Sequence, residues 1–283
     1  MCGVHVTEPA ATAHNLVLGY GATVALAASS FAIPSGRSTV VIGPNGSGKS
    51  TLLNAISGLI EPKSGTLDVP AQGAPTQRIA YVLQTTQVNE ALPISVREVV
   101  AMGRCADAGS YRRLTSTDRE AVAVAMERTG ISKLGSRHLR ELSGGQRQRV
   151  FVAQGLAQDH DLLLLDEPLT GIDLPTAQAI DAVIHDELTR GCTVITTTHD
   201  LSEARVADHV LLLSGRVVAS GPPEETLTTE HLTAAYGPSL LHVDDGRIFV
   251  DDPAHIPVPG RHIHQERSIH TEGSPTDLHG GEG

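Results

Sequence analysis

Residues 43–51 read G-P-N-G-S-G-K-S-T and contain the spacing G-x-x-x-x-G-K-S of a phosphate-binding loop. Gly43, Gly46 and Gly48 let the backbone curl until successive N–H groups face one concavity, which suits phosphate oxygens. Lys49 adds positive charge for the β and γ phosphates of a nucleoside triphosphate, and the Ser50 hydroxyl is a ligand for Mg²⁺. The spacing therefore predicts a nucleotide site formed by the whole loop, including Pro44, Asn45, Ser47 and Thr51.

The residues that flank this loop have the pattern of a strand, a loop and a helix. Residues 38–42 are a short β-branched run, typical of a buried strand. A helix is predicted over residues 49–59, and its positive N-terminal end would face the phosphates. Other apolar runs predict antiparallel strands within residues 15–42, single strands at 79–83, 162–165 and 193–198, and a hairpin that turns at Ser214 and Gly215.

Two adjacent carboxylates follow the apolar run at residues 162–165. Asp166 and Glu167 would lie at the carboxyl end of that strand, where open α/β sheets bind their ligands. We expect Asp166 to hold Mg²⁺ through water and Glu167 to act as general base towards an attacking water. A strand that ends in an ordinary surface turn is the alternative, and the phosphate loop upstream makes it the weaker one.

A second turn suited to an anion comprises Ser143, Gly144, Gly145 and Gln146. Its hydroxyl and backbone N–H groups would open a helix and face a negatively charged ligand. Taken alone, a Ser-Gly-Gly sequence is most often just a helix start. Together with the preceding motifs, the pentapeptide that begins at Leu142 closely resembles the signature of the nucleotide-binding subunits of ABC transporters.

The resemblance extends over about residues 15–237 and includes four further motifs. It implies that Tyr20 stacks on adenine and that His199 contacts the γ-phosphate. It also implies that Gln84 links Mg²⁺ and the attacking water to the membrane subunit. Asp173 matches the acid of a loop that touches the partner subunit across a dimer. In isolation Tyr20 would be a packing aromatic, Gln84 a surface amide and His199 a strand-end cap, but their order along the chain is that of the family.

The same resemblance implies an α/β fold of the P-loop NTPase (RecA-like) class. Its parts would be a mostly parallel sheet core, an antiparallel β subdomain and an α-helical signature subdomain. Residues 1–240 are predicted to form the ATP-binding domain, and residues 241–283 a Pro/His/Asp-containing, largely flexible extension. Because the family joins two subunits head to tail, Ser143 would close over ATP held by the partner's Lys49. One set of motifs per chain predicts an ATP-dependent homodimer.

Composition limits the partners of the chain. A formal net charge of −11 at pH 7 argues against nucleic acid, because phosphate backbones require a basic face. We expect neither a membrane span nor standard secretion, since no long apolar run or signal-peptide pattern is present. The three scattered cysteines indicate reduced thiols in a cytosolic protein. With the resemblance, these features predict a peripheral subunit at the cytoplasmic face of the cell membrane, held by integral membrane permease subunits.

The transported substrate is chosen mainly by other subunits, so this chain gives only indirect clues. Four stretches look like those in importers of zinc, manganese and related metal ions: residues 92–104, 169–173, 221–225 and 232–237. Such importers also use an extracytoplasmic solute-binding protein. Importers of iron–siderophore, haem or cobalamin share much of this pattern and form the alternative. An exporter fits less well, because such nucleotide-binding domains are often fused to their membrane part. A soluble non-transport ABC ATPase also fits less well, because the chain has one nucleotide domain and no room for a long insertion before Ser143.

Two segments carry weaker predictions. We predict a groove that receives a short helix of the permease, and the candidates for its apolar lining are Val88, Ala91, Leu92 and Ile94. The alternative is that these side chains pack inwards. Histidines of the C-terminal segment could share one metal ion, the candidates being His255, His262, His264 and His270. A solvated, weakly acidic tail is the favoured interpretation of that segment.

Overall fold

The computed structural model describes residues 8–73, 78–84, 93–104, 114–237, 241–244 and 247–250. The strands are β1 (Ala11–Tyr20), β2 (Thr23–Ile33), β3 (Ser38–Ile42), β4 (Ser64–Asp68), β5 (Ile79–Val82), β6 (Leu162–Leu165), β7 (Thr193–Thr198), β8 (His209–Leu213), β9 (Val217–Gly221), β10 (Leu241–Asp244) and β11 (Arg247–Val250). The α-helices are α1 (Lys49–Ile56), α2 (Pro70–Gly73), α3 (Val96–Met102), α4 (Ser116–Arg128), α5 (Gly144–Leu156), α6 (Leu174–Thr189), α7 (Leu201–Arg205), α8 (Pro223–Thr226) and α9 (Thr229–Tyr236). Short 3₁₀ turns occupy Ser132–Leu134 and Leu139–Glu141.

The central sheet has the strand order β5-β6-β7-β3-β8-β9. Its first five strands run parallel, and β9 pairs antiparallel with β8. The carboxyl ends of the parallel strands therefore meet at one edge of the sheet. Gly43, Gln84, Asp166 and His199 follow β3, β5, β6 and β7 at this edge, which brings four separate motifs together.

Strand β6 shows why a continuous apolar run is needed in this sheet. Successive side chains of a strand point to opposite faces, so a strand covered on both faces is apolar throughout. Leu163 and Leu165 pack into one core cluster with side chains of α3, α4 and α5. Leu162 and Leu164 pack into a second cluster with β1, β2 and α1. The chain is 2% aromatic, and the cores are accordingly built from Leu, Ile, Val and Ala.

A second, antiparallel sheet covers the phosphate-loop helix. Its strand order is β2-β1-β4. Leu16 and Leu18 of β1 are fully buried against Leu52 and Leu53 of α1. This packing anchors α1, whose first residue is Lys49. The antiparallel subdomain predicted from the sequence is therefore present and supports the nucleotide side of the fold.

The helical region comprises α3, α4 and α5. Each of these helices begins with a capping box, in which the N-cap side chain and the residue three positions later satisfy each other's backbone N–H groups. The N-cap residues are Ser95, Thr115 and Ser143. Buried aliphatic side chains on all three helices join them to β6. The resemblance-based prediction of a mostly parallel core, an antiparallel subdomain and a helical signature subdomain is confirmed.

Several boundaries differ from those predicted. The helix predicted over residues 49–59 ends at Ile56, because Gly58 has φ 79° and the chain turns there. The strand predicted at residues 79–83 ends at Val82. The strands at residues 38–42, 162–165 and 193–198 and the hairpin of β8 and β9 are confirmed. Among the residues described here, no helix is both long and apolar enough to cross a membrane.

The C-terminal boundary stays a prediction. All described residues belong to a compact unit, Met1–Asp251. Within the region that we assigned to an extension, β10 and β11 pair antiparallel. The histidines proposed for a tail metal site lie outside the described residues. Val88, Ala91 and Leu92 of the predicted permease groove also lie outside them, whereas Ile94 is half-buried against the helical core.

Candidate active site

The loop of residues 43–51 connects the end of β3 to the start of α1, as the sequence predicted. Gly48 has φ 101°, a left-handed conformation that an L side chain rarely adopts. A Cβ added at Gly43 would lie 2.2 Å from the carbonyl oxygen of Leu213 and 2.8 Å from Ser47 Oγ. Ser47 Oγ is itself buried and has no hydrogen-bond partner among the described residues. The loop is thus a tight backbone cradle with an unused buried hydroxyl, which fits a bound phosphate.

Lys49 is buried at the first residue of α1, with 6% of its side chain exposed. A buried ammonium group is stable only when paired or hydrogen-bonded. Nζ donates to the carbonyl oxygens of Gly43 at 2.9 Å and Pro44 at 3.3 Å. It also lies 3.9 Å from Glu167 Oε1. The lysine is therefore held over the loop and close to the carboxylate that we predicted to be the general base.

Asp166 and Glu167 follow β6 directly and share one positioning residue, Thr197 of β7. The Thr197 hydroxyl donates to Asp166 Oδ1 at 2.5 Å. It accepts a hydrogen bond from the backbone N–H of Glu167 at 2.8 Å. One hydroxyl therefore fixes both carboxylate residues, using its single donor and one of its acceptor sites.

Glu167 has a backbone conformation that is uncommon for a residue with a side chain. Its φ is 47°, in the left-handed region. Such strain persists only where surrounding contacts fix it, and it concentrates at functional sites. Here Thr197 holds the backbone, while Gln84 Nε2 donates to Glu167 Oε2 at 2.9 Å. Gln84, Lys49 and Glu167, which are distant in sequence, thus form one connected group.

The phenol of Tyr81 lies beside Asp166 at this edge of the sheet. Burial, and then the neighbouring Asp166 carboxylate, raise the pKa of Tyr81 on β5. Tyr81 stays protonated at every physiological pH as a result. Asp166 is 4% exposed, so a cation that shields its charge would be favoured at this position.

Tyr20 ends β1 of the antiparallel sheet, and His199 follows β7 of the central sheet. Tyr20 ends β1 and is 51% exposed, and its hydroxyl accepts a hydrogen bond from Asn54 Nδ2 at 2.8 Å. Because Asn54 lies on α1, the tyrosine ring is held beside the helix that begins at the phosphate loop. His199 follows β7 immediately and is half-buried. Both residues lie where a bound nucleotide is expected. Stacking of Tyr20 on adenine and contact of His199 with the γ-phosphate stay predictions.

Ser143 caps α5, as predicted, and its own turn uses its polar groups. The hydroxyl accepts from the N–H of Gln146 at 3.3 Å, and Gln146 Oε1 accepts from the N–H of Ser143 at 3.1 Å. Ser143 and Gly144 are exposed, and a Cβ at Gly144 would meet nothing within 4 Å. In the part of the chain that the structure describes, Ser143 and Gln146 form no hydrogen bond with the phosphate loop. This turn faces outwards, free to receive a ligand from outside the chain.

Asp173 lies next to the Ser143 turn and caps α6. Its Oδ1 accepts from the N–H of Thr176 at 3.0 Å, and this hydrogen bonding lowers the pKa of Asp173. A Cβ added at Gly145 would lie 2.7 Å from Thr176 Oγ1 and 3.4 Å from Asp173 Oδ1. The two motifs are therefore neighbours on one surface. The structural role of Asp173 as a helix cap was not anticipated.

A comparison with protein families is decisive for this arrangement of motifs. The family model described as "ABC transporter" matches residues 26–170, which include the phosphate loop, Gln84, the Ser143 turn, Asp166 and Glu167. The chain belongs to the ABC transporter family. It is an ATP-binding, ATP-hydrolysing subunit of that family, as the sequence motifs predicted. Tyr20, Asp173 and His199 lie outside the matched residues.

Relatives of this ABC ATPase include subunits named for metal transport. The chain is 40% identical over 230 residues to the chelated iron transport system membrane protein YfeB of Yersinia pestis, covering 79% of this chain and 78% of that one. It is 38% identical over 221 residues to the manganese transport system ATP-binding protein MntA of Synechocystis, covering 76% and 85%. A solved inward-facing ABC transporter, assigned to the metal-chelate type, matches with TM-score 0.72 and 28% identity, over 86% of this chain and 96% of that one.

Thr197 is the positioning residue that the motifs did not reveal. The only sequence signal was its place in a buried run of threonines that ends β7 before His199. Threonine is polar and is seldom fully buried, yet Thr197 is 0% exposed. A buried hydroxyl at the ligand edge of a sheet indicates a hydrogen-bonding task, although the sequence does not tell which groups it serves.

Proposed function

We propose that this ABC ATPase powers an importer of a divalent metal ion such as zinc or manganese, working as an ATP-dependent head-to-tail homodimer. The observation that supports its hydrolytic role best is the group at the ligand edge of the sheet. Glu167 lies 2.9 Å from Gln84 and 3.9 Å from Lys49, in a strained backbone conformation held by Thr197. The names of the relatives support the metal cargo.

In this proposal the phosphate loop binds the triphosphate of ATP. The backbone N–H groups of residues 45–51 and the buried Ser47 hydroxyl would donate hydrogen bonds to phosphate oxygens. Lys49 would exchange its carbonyl partners for the β and γ phosphates. The exposed ring of Tyr20 would stack on adenine, oriented by its hydrogen bond with Asn54.

Ser50, Gln84 and Asp166 would hold Mg²⁺, with Asp166 acting through water. All three offer oxygen atoms, which this hard cation prefers. Gln84 uses its amide nitrogen on Glu167, which leaves its amide oxygen as the metal ligand. When bound, Mg²⁺ would neutralise charge on the β and γ phosphates.

Hydrolysis itself would rest on Glu167. Its carboxylate would accept a proton from water as the water oxygen bonds to the γ phosphorus. The bond between that phosphorus and the bridging oxygen breaks, and ADP leaves with the electron pair. Gln84 would orient both the water and the carboxylate, and His199 would contact the γ-phosphate. The hydrogen bonds from Thr197 would keep Asp166 and Glu167 in place through this step.

The outward-facing turn of Ser143 supports a composite site between two copies. The Ser143 hydroxyl, which keeps its O–H to donate, and the N–H groups of Gly144 and Gly145 would close over ATP on the partner's Lys49, with Asp173 touching the partner as well. Closing on ATP and reopening after hydrolysis would provide the two states that drive transport.

A mixing experiment tests the composite site. Chains carrying Ser143→Arg and chains carrying Lys49→Ala are each expected to be inactive. In their heterodimer both lesions fall into one site and the other site is intact, so ATPase activity should partly return. If verified heterodimers stay inactive, the head-to-tail arrangement is wrong.

Partners follow from the same assignment. Integral membrane permease subunits would hold the dimer at the cytoplasmic face of the cell membrane, and Gln84 would pass motion to them. An extracytoplasmic solute-binding protein would deliver the ion on the other side. The negative net charge argues against nucleic acid as a partner.

The cargo is tested by uptake in cells that express the complete transporter. We expect accumulation of Mn²⁺ or Zn²⁺ that requires wild-type Glu167 and that the unlabelled free ion suppresses. Importers of metal chelates are the second candidate, because one relative is named for chelated iron and one similar structure is of the metal-chelate type. Competition by an iron–siderophore, haem or cobalamin, and not by the free ions, would favour that candidate instead.

A further inference from the structure

Three side chains that can bind a metal lie together away from the nucleotide edge of the sheet. They are His160, Glu187 and Cys192, and their ligand atoms all lie within 4.8 Å of one another. His160 and Cys192 precede the parallel strands β6 and β7, whereas Glu167 and His199 follow them. The cluster therefore occupies the opposite edge of the central sheet from the phosphate loop.

His160 presents one ring nitrogen, Nε2, to the cluster. Its Nδ1 lies 2.9 Å from the carbonyl oxygen of Gln158. A carbonyl only accepts hydrogen bonds, so Nδ1 carries a proton and donates, which leaves Nε2 facing Glu187. The side chain is 5% exposed, and Nε2 forms no hydrogen bond of normal geometry in the described part of the chain. Metal-ligating histidines commonly have this kind of second partner.

Glu187 is oriented by two arginines on one side and by His160 on the other. Its Oε1 lies 2.6 Å from Arg128 and 3.4 Å from Arg190. Its Oε2 lies 3.2 Å from His160 Nε2. The guanidinium groups hold one oxygen and leave the other for the cluster. A carboxylate fixed in this way is a preorganised ligand.

Cys192 completes the set from the turn before β7. Its backbone N–H donates to the carbonyl of Glu187 at 3.0 Å, which ties the thiol to the end of α6. Its Sγ lies 3.5 Å from the carbonyl oxygen of His160 and also forms a hydrogen bond with the Glu187 carboxylate. The thiol therefore already points towards the other two ligands, and a cation bound between them would replace its proton.

We propose that His160 Nε2, Glu187 Oε2 and Cys192 Sγ bind one Zn²⁺ or a similar thiophilic divalent cation. Imidazole, carboxylate and thiolate are all zinc ligands, and a thiolate disfavours Mg²⁺ and Mn²⁺. Zinc bonds of about 2.0–2.3 Å would draw the three atoms slightly closer together. On binding, the thiol proton is released to solvent, and water fills the fourth position. The ion would link the loop before β6, the end of α6 and the turn before β7.

Co²⁺ binding to the purified full-length chain tests this site, because a cobalt–thiolate bond gives a charge-transfer band in the near ultraviolet. We expect the wild type to show the band and Zn²⁺ to abolish it by displacement. Cys192→Ser should remove the band, and His160→Gln should weaken Co²⁺ binding at least tenfold. Cys105→Ser is the matched control and should keep the band. Zn²⁺ should also raise the Tm of the wild type and not that of Cys192→Ser.

Basal ATPase activity verifies that each variant is folded, since none of these residues belongs to the nucleotide site. Should Cys192→Ser fold poorly, Cys192→Ala and His160→Gln carry the test. A wild type without the band, or a band that persists in Cys192→Ser, would overturn the proposal. In either case the cluster would be an ion pair between His160 and Glu187 beside a thiol. The test needs neither permease nor cargo, so its outcome is independent of the proposed transport function.

Discussion

Glu203 provides a quantitative test of the electrostatics around the ligand edge of the sheet. It lies half-buried on α7, four residues after His199. Burial raises the pKa of Glu203 from 4.5 to about 7, and the nearby carboxylates of Asp200, Asp181 and Glu167 add to the increase. A hydrogen bond with Thr198 opposes them only in part. We predict that Glu203→Gln stabilises the protein at alkaline pH.

The sign and size of the effect follow from linkage between folding and protonation. A carboxyl group whose pKa is raised by folding makes its full contribution to stability when the pH is below its unfolded-state pKa. This contribution is lost as the pH rises through its folded-state pKa. Each unit of difference between a pKa of 4.5 and one of about 7 corresponds to about 1.4 kcal/mol. Above pH 7.5 the ionised side chain therefore lowers the free energy of unfolding by about 3 kcal/mol. Glutamine has a similar shape and no charge, so it removes that cost.

Urea denaturation at pH 5 and pH 8 measures the difference. The free energy of unfolding of Glu203→Gln should match that of the wild type near pH 5 within about 1 kcal/mol and exceed it by up to about 3 kcal/mol at pH 8. Glu120→Gln, at an exposed position on α4, is the control and should shift neither value. Equal pH dependence in the wild type and Glu203→Gln would refute this explanation of the buried carboxyl.

Three further substitutions test the phosphate loop and the residues that position the carboxylates. Lys49→Ala should weaken ATP binding at least about tenfold in equilibrium titrations, because it removes the positive charge that pairs with the β and γ phosphates. Normal binding would contradict the assignment of Lys49 to the phosphate site. Thr197→Val should leave Asp166 and the Glu167 N–H without their partner, costing about 1–3 kcal/mol of stability and most of the ATPase activity, whereas Thr197→Ser should keep both. Gly43→Ala should abolish nucleotide binding, since its Cβ would lie 2.2 Å from the Leu213 carbonyl oxygen; wild-type binding would show that the loop relaxes.

The sequence alone predicted those structural features whose physical cause lies in a local residue pattern. A continuous apolar run of four leucines predicted β6 with its observed bounds, because a strand covered on both faces has no polar position. The glycine and lysine spacing predicted the loop after β3, and the Ser-Gly-Gly turn at Ser143 predicted the start of α5. These features depend on neighbours in the chain, and the structure confirms them.

Features that depend on distant residues were not predictable. The left-handed backbone of Glu167 is held by Thr197 on the adjacent strand, and no local pattern signals this. His160, Glu187 and Cys192 are spread over two loops and a helix, so only the sheet brings them together. Asp173 was assigned by resemblance to an interface role, whereas its function within the chain is to cap α6. Tertiary packing determines each of these.

The central claim is that Glu167 is the general base for ATP hydrolysis. Measuring ATPase activity and ATP-dependent dimerisation of the Glu167→Gln variant tests it most directly. The substitution keeps the hydrogen-bonding shape of the side chain and removes its ability to accept a proton from water. We predict that the variant binds ATP, forms a stable ATP-dependent dimer in size-exclusion chromatography and loses ATPase activity by about 100-fold or more. ATPase activity within about twofold of the wild type, with the same dimer population, would contradict the assignment of Glu167 as the general base.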